Sequence, residues 1–215
     1  MDKRMRKRIL MTVLGIFAGG VSVGFFKTAA FGVDPFQTLM SGLDKLIPIH
    51  FGTLYVLTNA VLLLFAFFAD RHYINLGTFI NLFLLGYVVE FSHNLLLRFF
   101  PEPALPLRLL FMLIAILMLC ISSSFYFTAD LGVSTYDAIA LVLANKWHVA
   151  PFKYCRIATD LACVLLGCTL YLLAGGKLSM LPTIAGFGTI ITAFFMGPLI
   201  DYFNIHLAKP FLEKK

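Results

Sequence analysis

Six stretches of this chain carry no formal charge for 16 residues or more: 9–26, 46–69, 72–89, 109–129, 161–176 and 178–200. About 20 mainly apolar residues cross a hydrocarbon core as a helix, with every backbone group bonded internally. The short alternating segments of a membrane barrel are not seen. With helical extension the runs predict six spans at about 8–31, 51–70, 73–97, 105–129, 151–174 and 179–203. Composition points the same way. Sixty per cent of residues are hydrophobic and 13% charged, against roughly 45–50% and about 25% in soluble domains. A soluble domain and a disordered chain are both excluded.

The net charge of +6 is not a nucleic-acid-binding face, because Lys3, Arg4, Arg6, Lys7 and Arg8 crowd the first eight residues. Such a cluster holds its end in the cytoplasm. No A-x-A-like cleavage site follows residues 9–26, so a cleaved signal is not expected. Cys120, Cys155, Cys163 and Cys168 lack C-x-x-C or His-paired spacing and read as small buried hydrophobes. The five histidines form no metal-ligand pattern. No cofactor is expected, nor any enzyme, since G-x-S-x-G, P-loop and H-E-x-x-H signatures are missing.

Two shorter segments, 34–47 and 134–147, have helical grammar. Phe36, Leu39, Met40, Leu43, Leu46 and Ile47 fall on one face of the first, and Gln37, Thr38, Ser41, Asp44 and Lys45 on the other. Asp34 before Pro35 is a start signal, with Gly32 ending the preceding span. Gly132 and Ser134 repeat the pattern.

That shared grammar marks an internal duplication. F-F-K-T-A-A-F-G-V-D (25–34) aligns with F-Y-F-T-A-D-L-G-V-S (125–134), and G-T-F-I-N-L-F-L-L-G-Y-V-V-E-F (77–91) with G-T-I-I-T-A-F-F-M-G-P-L-I-D-Y (188–202). The expected fold is an all-α integral membrane protein in a single domain: six transmembrane helices as two three-helix repeats, about 8–97 and 105–203, each with an extra short amphipathic helix. Three spans per unit make the repeats inverted, an arrangement common in transporters. Six spans put 12 of the 17 Lys and Arg on the inner side; letting the short helices cross as well puts 14 there. Fourteen residues make only about 21 Å of helix against a core of about 30 Å, so six spans are preferred, with both termini inside.

Ionisable residues within a span are costly and mark function. Asp160 lies ten residues into the fifth span and Asn59 at the matched place in the second. They line a cavity or bridge helices. Glu90 pairs with Asp201 across the alignment, and Gln37 with Asp137. Asn81, nine residues before Glu90, sits on the opposite helical face. Arg156, four residues before Asp160, is placed for an ion pair with it, and Lys27 is expected to snorkel outward. Gly15-x-x-x-Gly19, with Gly20 and Gly24, favours close helix packing inside the fold or in a homodimer.

The repeated T-A-x-x-G-V-[DS] element, H-F-G-T-L-Y followed by Asn59, and G-T-x-x-N-x-x-x-x-G-Y-x-x-E resemble the bacterial YczE/YitT-type membrane protein family over nearly the whole chain. The resemblance implies a small bacterial inner-membrane protein and carries no activity with it. The sequence therefore leads to a small-molecule permease, or the membrane substrate-binding subunit of one with ATPase partner subunits. Asn59, Asp160, Glu90, Asn81, Gln37 and Asp137 are its candidate binding residues, and a proton or cation its coupling ion. A non-transporting membrane scaffold or regulator is the alternative.

Overall fold

The computed structural model describes residues 3–213; Lys214 and Lys215, counted above on the inner side, lie outside the described residues, as do the side chains of Lys3 and Lys153. Every regular element is helical: α1 (Lys3–Ala29), α2 (Pro35–Leu46), α3 (Phe51–Ala69), α4 (Leu76–Phe99), α5 (Leu105–Ala129), α6 (Thr135–Leu141), α7 (Phe152–Leu173), α8 (Leu181–Ile184), α9 (Phe187–Phe203) and α10 (Lys209–Glu213). Among the described residues six helical segments are long and apolar enough to cross a membrane. The architecture is that of a multi-pass membrane protein.

At the centre α1 and α5 lie side by side. Arg8, near the start of α1, donates to the carbonyls of Ala129 and Asp130 at the end of α5. Arg108, near the start of α5, donates to Ala29 at 2.8 Å and Ala30 at 3.0 Å, at the end of α1. Each helix thus supplies a cation to the other's unsatisfied carbonyls, and the two run antiparallel. The glycines of α1 serve contacts inside the fold. A Cβ on Gly15 would sit 3.0 Å from the Ser122 carbonyl of α5, and one on Gly20 would sit 2.7 Å from Val88 of α4.

Both central helices end in a left-handed turn, with Ala30 and Gly32 at φ 54° and 96°, and Asp130 and Gly132 at 50° and 98°. The chain leaving each turn is held by backbone hydrogen bonds to a distant helix start. Gly188 donates to Phe31 (2.7 Å) and Val33 to Ile184 (3.2 Å). Gly77 donates to Leu131 (2.6 Å) and Val133 to Tyr73 (3.2 Å).

Three expectations change. The third span begins at Leu76 rather than 73, because Asp70 and Asn75 each cap a new helical turn. The sixth is broken at Ala185–Gly186, where Gly186 donates to Thr189 Oγ1 and Gly188 turns to the Phe31 carbonyl. And only the far end of the polar face of α2 is exposed, at Asp44 and Lys45: Gln37 and Thr38 are buried with Phe36 and Met40. The helix enters the protein, crossing α7 so closely that a Cβ on Gly42 would meet the Gly167 carbonyl at 2.3 Å. The second short segment is helical as expected, α6 continuing directly into a π-helical turn at Val142–Lys146.

Candidate functional site

The N-terminal ends of α2 and α6 meet inside the bundle. Asp34 caps α2, its Oδ1 accepting the Gln37 N–H at 3.1 Å, and Ser134 caps α6, its Oγ accepting the Asp137 N–H at 3.0 Å. Just beyond the caps Phe36 stacks on Tyr136, with ring centroids 5.0 Å apart and planes 20° from parallel. On one side of this stack lies a neutral group. Thr135 donates to Asn59 Oδ1 at 2.5 Å, Asn59 donates to the Tyr55 carbonyl at 2.8 Å, and the Tyr55 hydroxyl reaches Asn81 Oδ1 at 3.4 Å.

On the other side lies a charged group. Arg156 forms an ion pair with Asp137 and a second, at 3.2 Å, with Asp160 one turn along α7. Its guanidinium lies 4.6 Å from the centre of the Tyr136 ring. The Tyr136 hydroxyl donates to Asp160 Oδ1 at 2.5 Å, and Ser134 Oγ to Asp137 Oδ2 at 2.6 Å. Burial pushes the Tyr136 hydroxyl pKa up, against the lowering pull of Arg156 and with Asp160 adding to the rise, so the group remains a donor. Asp34 is within electrostatic reach of Arg156 and Asp160; burial pushes its pKa up to about 6, against the lowering pull of the Gln37 N–H and Arg156. Two carboxylates therefore pair with the guanidinium, and a third stands within its electrostatic reach.

Five of the six residues singled out by sequence, Asn59, Asn81, Gln37, Asp137 and Asp160, thus gather around α2 and α6. Gln37 is 3% exposed and its Oε1 accepts no hydrogen bond. Glu90 stands apart. It closes a different pocket of about 450 Å³, where α1 ends and α3 begins, walled by Lys27, Asp44, His50, Phe51, His93 and Asn94. Its Oε2 accepts the Gly52 N–H at 3.0 Å and its Oε1 lies 3.1 Å from His50 Nδ1. Glu90 in this way caps α3, which has no side-chain cap of its own. Lys27 also lines this pocket, its Nζ 3.4 Å from the centre of the Phe51 ring. Asp201, the counterpart of Glu90 in the sequence alignment, is exposed.

Sequence reasoning did not place Tyr136, Tyr55, Lys27, Asp44 or the two pocket histidines in a site. A signal existed for Tyr55, which precedes Asn59 by four residues as Arg156 precedes Asp160, and for His93, one turn beyond Glu90. Between the two polar regions lie Phe51, Tyr55, Phe36 and Tyr136, which belong to one buried apolar cluster with Val23, Met40 and Val89.

Residues 6–205 match a protein family described as a family of unknown function (DUF6198), and the chain belongs to that family. An uncharacterized protein of Haemophilus influenzae is similar at 24% identity over 196 residues, which cover 91% of this chain and 81% of that protein. No solved structure matches the chain.

Proposed function

We propose that the chain is a small-molecule permease, or the membrane-embedded substrate-binding subunit of one, built from two inverted repeats in a bacterial inner membrane with both termini cytoplasmic. The observation that carries this reading is the charged Asp137–Arg156–Asp160 network inside the helical layer. Gln37, Tyr55 and Asn59 hold the matched positions of the other half without a formal charge. A purely structural joint would be served by the neutral version. Charge inside a span is costly and is kept where an ion or ligand uses it.

Proton or cation coupling is supported by the imbalance of two carboxylates paired with one guanidinium and a third, Asp34, within its electrostatic reach. One of them is better off protonated, or facing a bound cation, than ionised beside the others. The inverted repeat is supported by the reciprocal contacts. Arg8 and Arg108 exchange roles, as do the Phe31–Gly188 and Leu131–Gly77 hydrogen bonds. An antiparallel α1 and α5 also fits three crossings per repeat, with α2 and α6 entering without crossing. The resemblance to YczE/YitT-type proteins supports the inner membrane, and the basic start of α1 supports a cytoplasmic N-terminus.

A non-transporting scaffold or regulator is the second reading. In its favour, Arg156 and Glu90 already have protein partners. The test is a thermal-shift screen of metabolites on purified protein, where a ligand of the folded state raises stability by mass action. Uptake of the hit into proteoliposomes follows, with and without a proton gradient. Asp160→Asn and Asp137→Asn are expected to lower gradient-driven uptake by at least about tenfold, the weight of one lost charge interaction. Full uptake in both variants would overturn the site, and a folded wild type that moves no hit would favour the scaffold.

A further inference from the structure

The pocket at the end of α1 holds two opposite charges that do not meet. Lys27 makes no ion pair and no hydrogen bond among the described residues; its ammonium rests on the Phe51 ring. Asp44, which also lines the pocket and is exposed, likewise accepts no hydrogen bond and forms no ion pair within 4.0 Å among the described residues. The two are nonetheless close enough to feel each other's charge, and Lys27 feels Glu90 as well. Flexible side chains of opposite sign in one cavity ordinarily close on each other. Here the ammonium is drawn over an aromatic face on one wall, and the carboxylate stands on another.

We propose that this pocket binds a small zwitterion carrying a carboxylate and a primary ammonium on the same carbon, an α-amino acid. The ligand carboxylate accepts from Lys27 and from the Asn94 amide at the rim. The ligand ammonium donates to Asp44 and to the remaining lone pairs of Glu90, whose oxygens already serve His50 and Gly52. A simple anion would meet the Asp44 and Glu90 carboxylates, and a simple cation would meet Lys27. Only a molecule with both charges satisfies every wall. About 450 Å³ suffices for such a molecule, and pockets of this size are ordinary for small ligands. Pro48, Ile49 and Phe51 leave an apolar side for a side chain. This inference goes beyond the transport reading: binding here requires neither passage nor Asp160.

The test is calorimetric titration of the full-length protein in detergent with L-alanine and L-leucine, and with acetate, methylammonium and inorganic phosphate as single-charge probes. Saturable binding of at least one amino acid, with none of the single-charge probes binding comparably, is the expected result. Lys27→Met should weaken it at least about tenfold, and Lys27→Arg should restore most of it. Asp44→Asn changes an exposed residue and should weaken binding similarly without affecting folding, which keeps the test decisive if Lys27→Met does not fold. Asp160→Asn should leave binding unchanged even where it stops uptake. Acetate or phosphate binding as tightly as the amino acids would overturn the proposal. So would no amino-acid binding by folded wild type, or full binding in Asp44→Asn and Lys27→Met.

Discussion

Asp34 caps α2 and also faces Arg156 and Asp160, with Asp137 and Tyr136 close by on α6. Its carboxyl titrates at about 6 in the folded protein against an ordinary value of 3.8, chiefly because burial disfavours the charge. An acid whose pKa is raised by folding binds more protons folded than unfolded between those two values. Stability from this group is therefore greatest below pH 3.8, falls as pH rises toward 6, and stays low above. Asn is as good a helix cap as Asp and carries no charge. Asp34→Asn is thus expected to melt higher than wild type at pH 7, and to equal it near pH 4. Melting curves of both proteins from pH 4 to 7 check this; parallel curves would place the titrating proton elsewhere. At this scale the sequence picked out residues that the fold brings together around α2 and α6. Asp160, Asn59, Gln37 and Asp137 come together because the caps before α2 and α6 bring those helices end to end. It read poorly where a pocket draws on four helices. Periodicity tells which face of α1 carries Lys27, but not that the start of α3 covers that face.

The turns that end α1 and α5 are the elements most exposed to a one-atom change. Gly32 and Gly132 both have left-handed φ, and a Cβ on either would strike the partner it clasps, at 2.4 Å from Gly186 N and 2.7 Å from Thr78 Oγ1. Gly175 also has positive φ, at 78°, but has nothing within 4 Å. An alanine in the left-handed region costs about 1–2 kcal/mol. Gly175→Ala should cost roughly that amount, and Gly32→Ala and Gly132→Ala clearly more. Thermal unfolding of the three variants in detergent separates the strain of the turn from the loss of the clasp; three equal losses would show that the clasp adds nothing. The helix ends that were legible carried their own signals, as at Leu105–Ala129, where span and expectation coincide. The break before α9 carried a signal that the charge-free run 178–200 masked: Gly186 and Gly188 interrupt it, and Gly188-Thr189 aligns with Gly77-Thr78 at the start of α4. The helix stops there because Gly188 takes its acceptor from Phe31, a partner that no local pattern reveals.

Across the whole molecule the antiparallel pairing of α1 and α5 bears on how many times the chain crosses. If α2 crossed as well, α5 would be the fifth crossing and would run parallel to α1. The 98–108 connection is thus expected on the side opposite the N-terminus, and the 145–150 connection on the same side as it. In a version lacking Cys120, Cys155, Cys163 and Cys168, single cysteines at the exposed positions Glu102 and His148 report this. Treatment of intact cells with an impermeant thiol reagent should label position 102 and spare 148 until lysis. Protection of both positions until lysis would mean that the short helices cross. The clasps have a further consequence, for the order of assembly during synthesis. The carbonyl of Phe31 waits for the amide of Gly188, and Val33 for Ile184. At about 5–20 residues per second, the segment that opens α2 stays unlatched in the bilayer for roughly 8–30 seconds after it is made. The final latch on the first half closes only once residues 184–188 have been made.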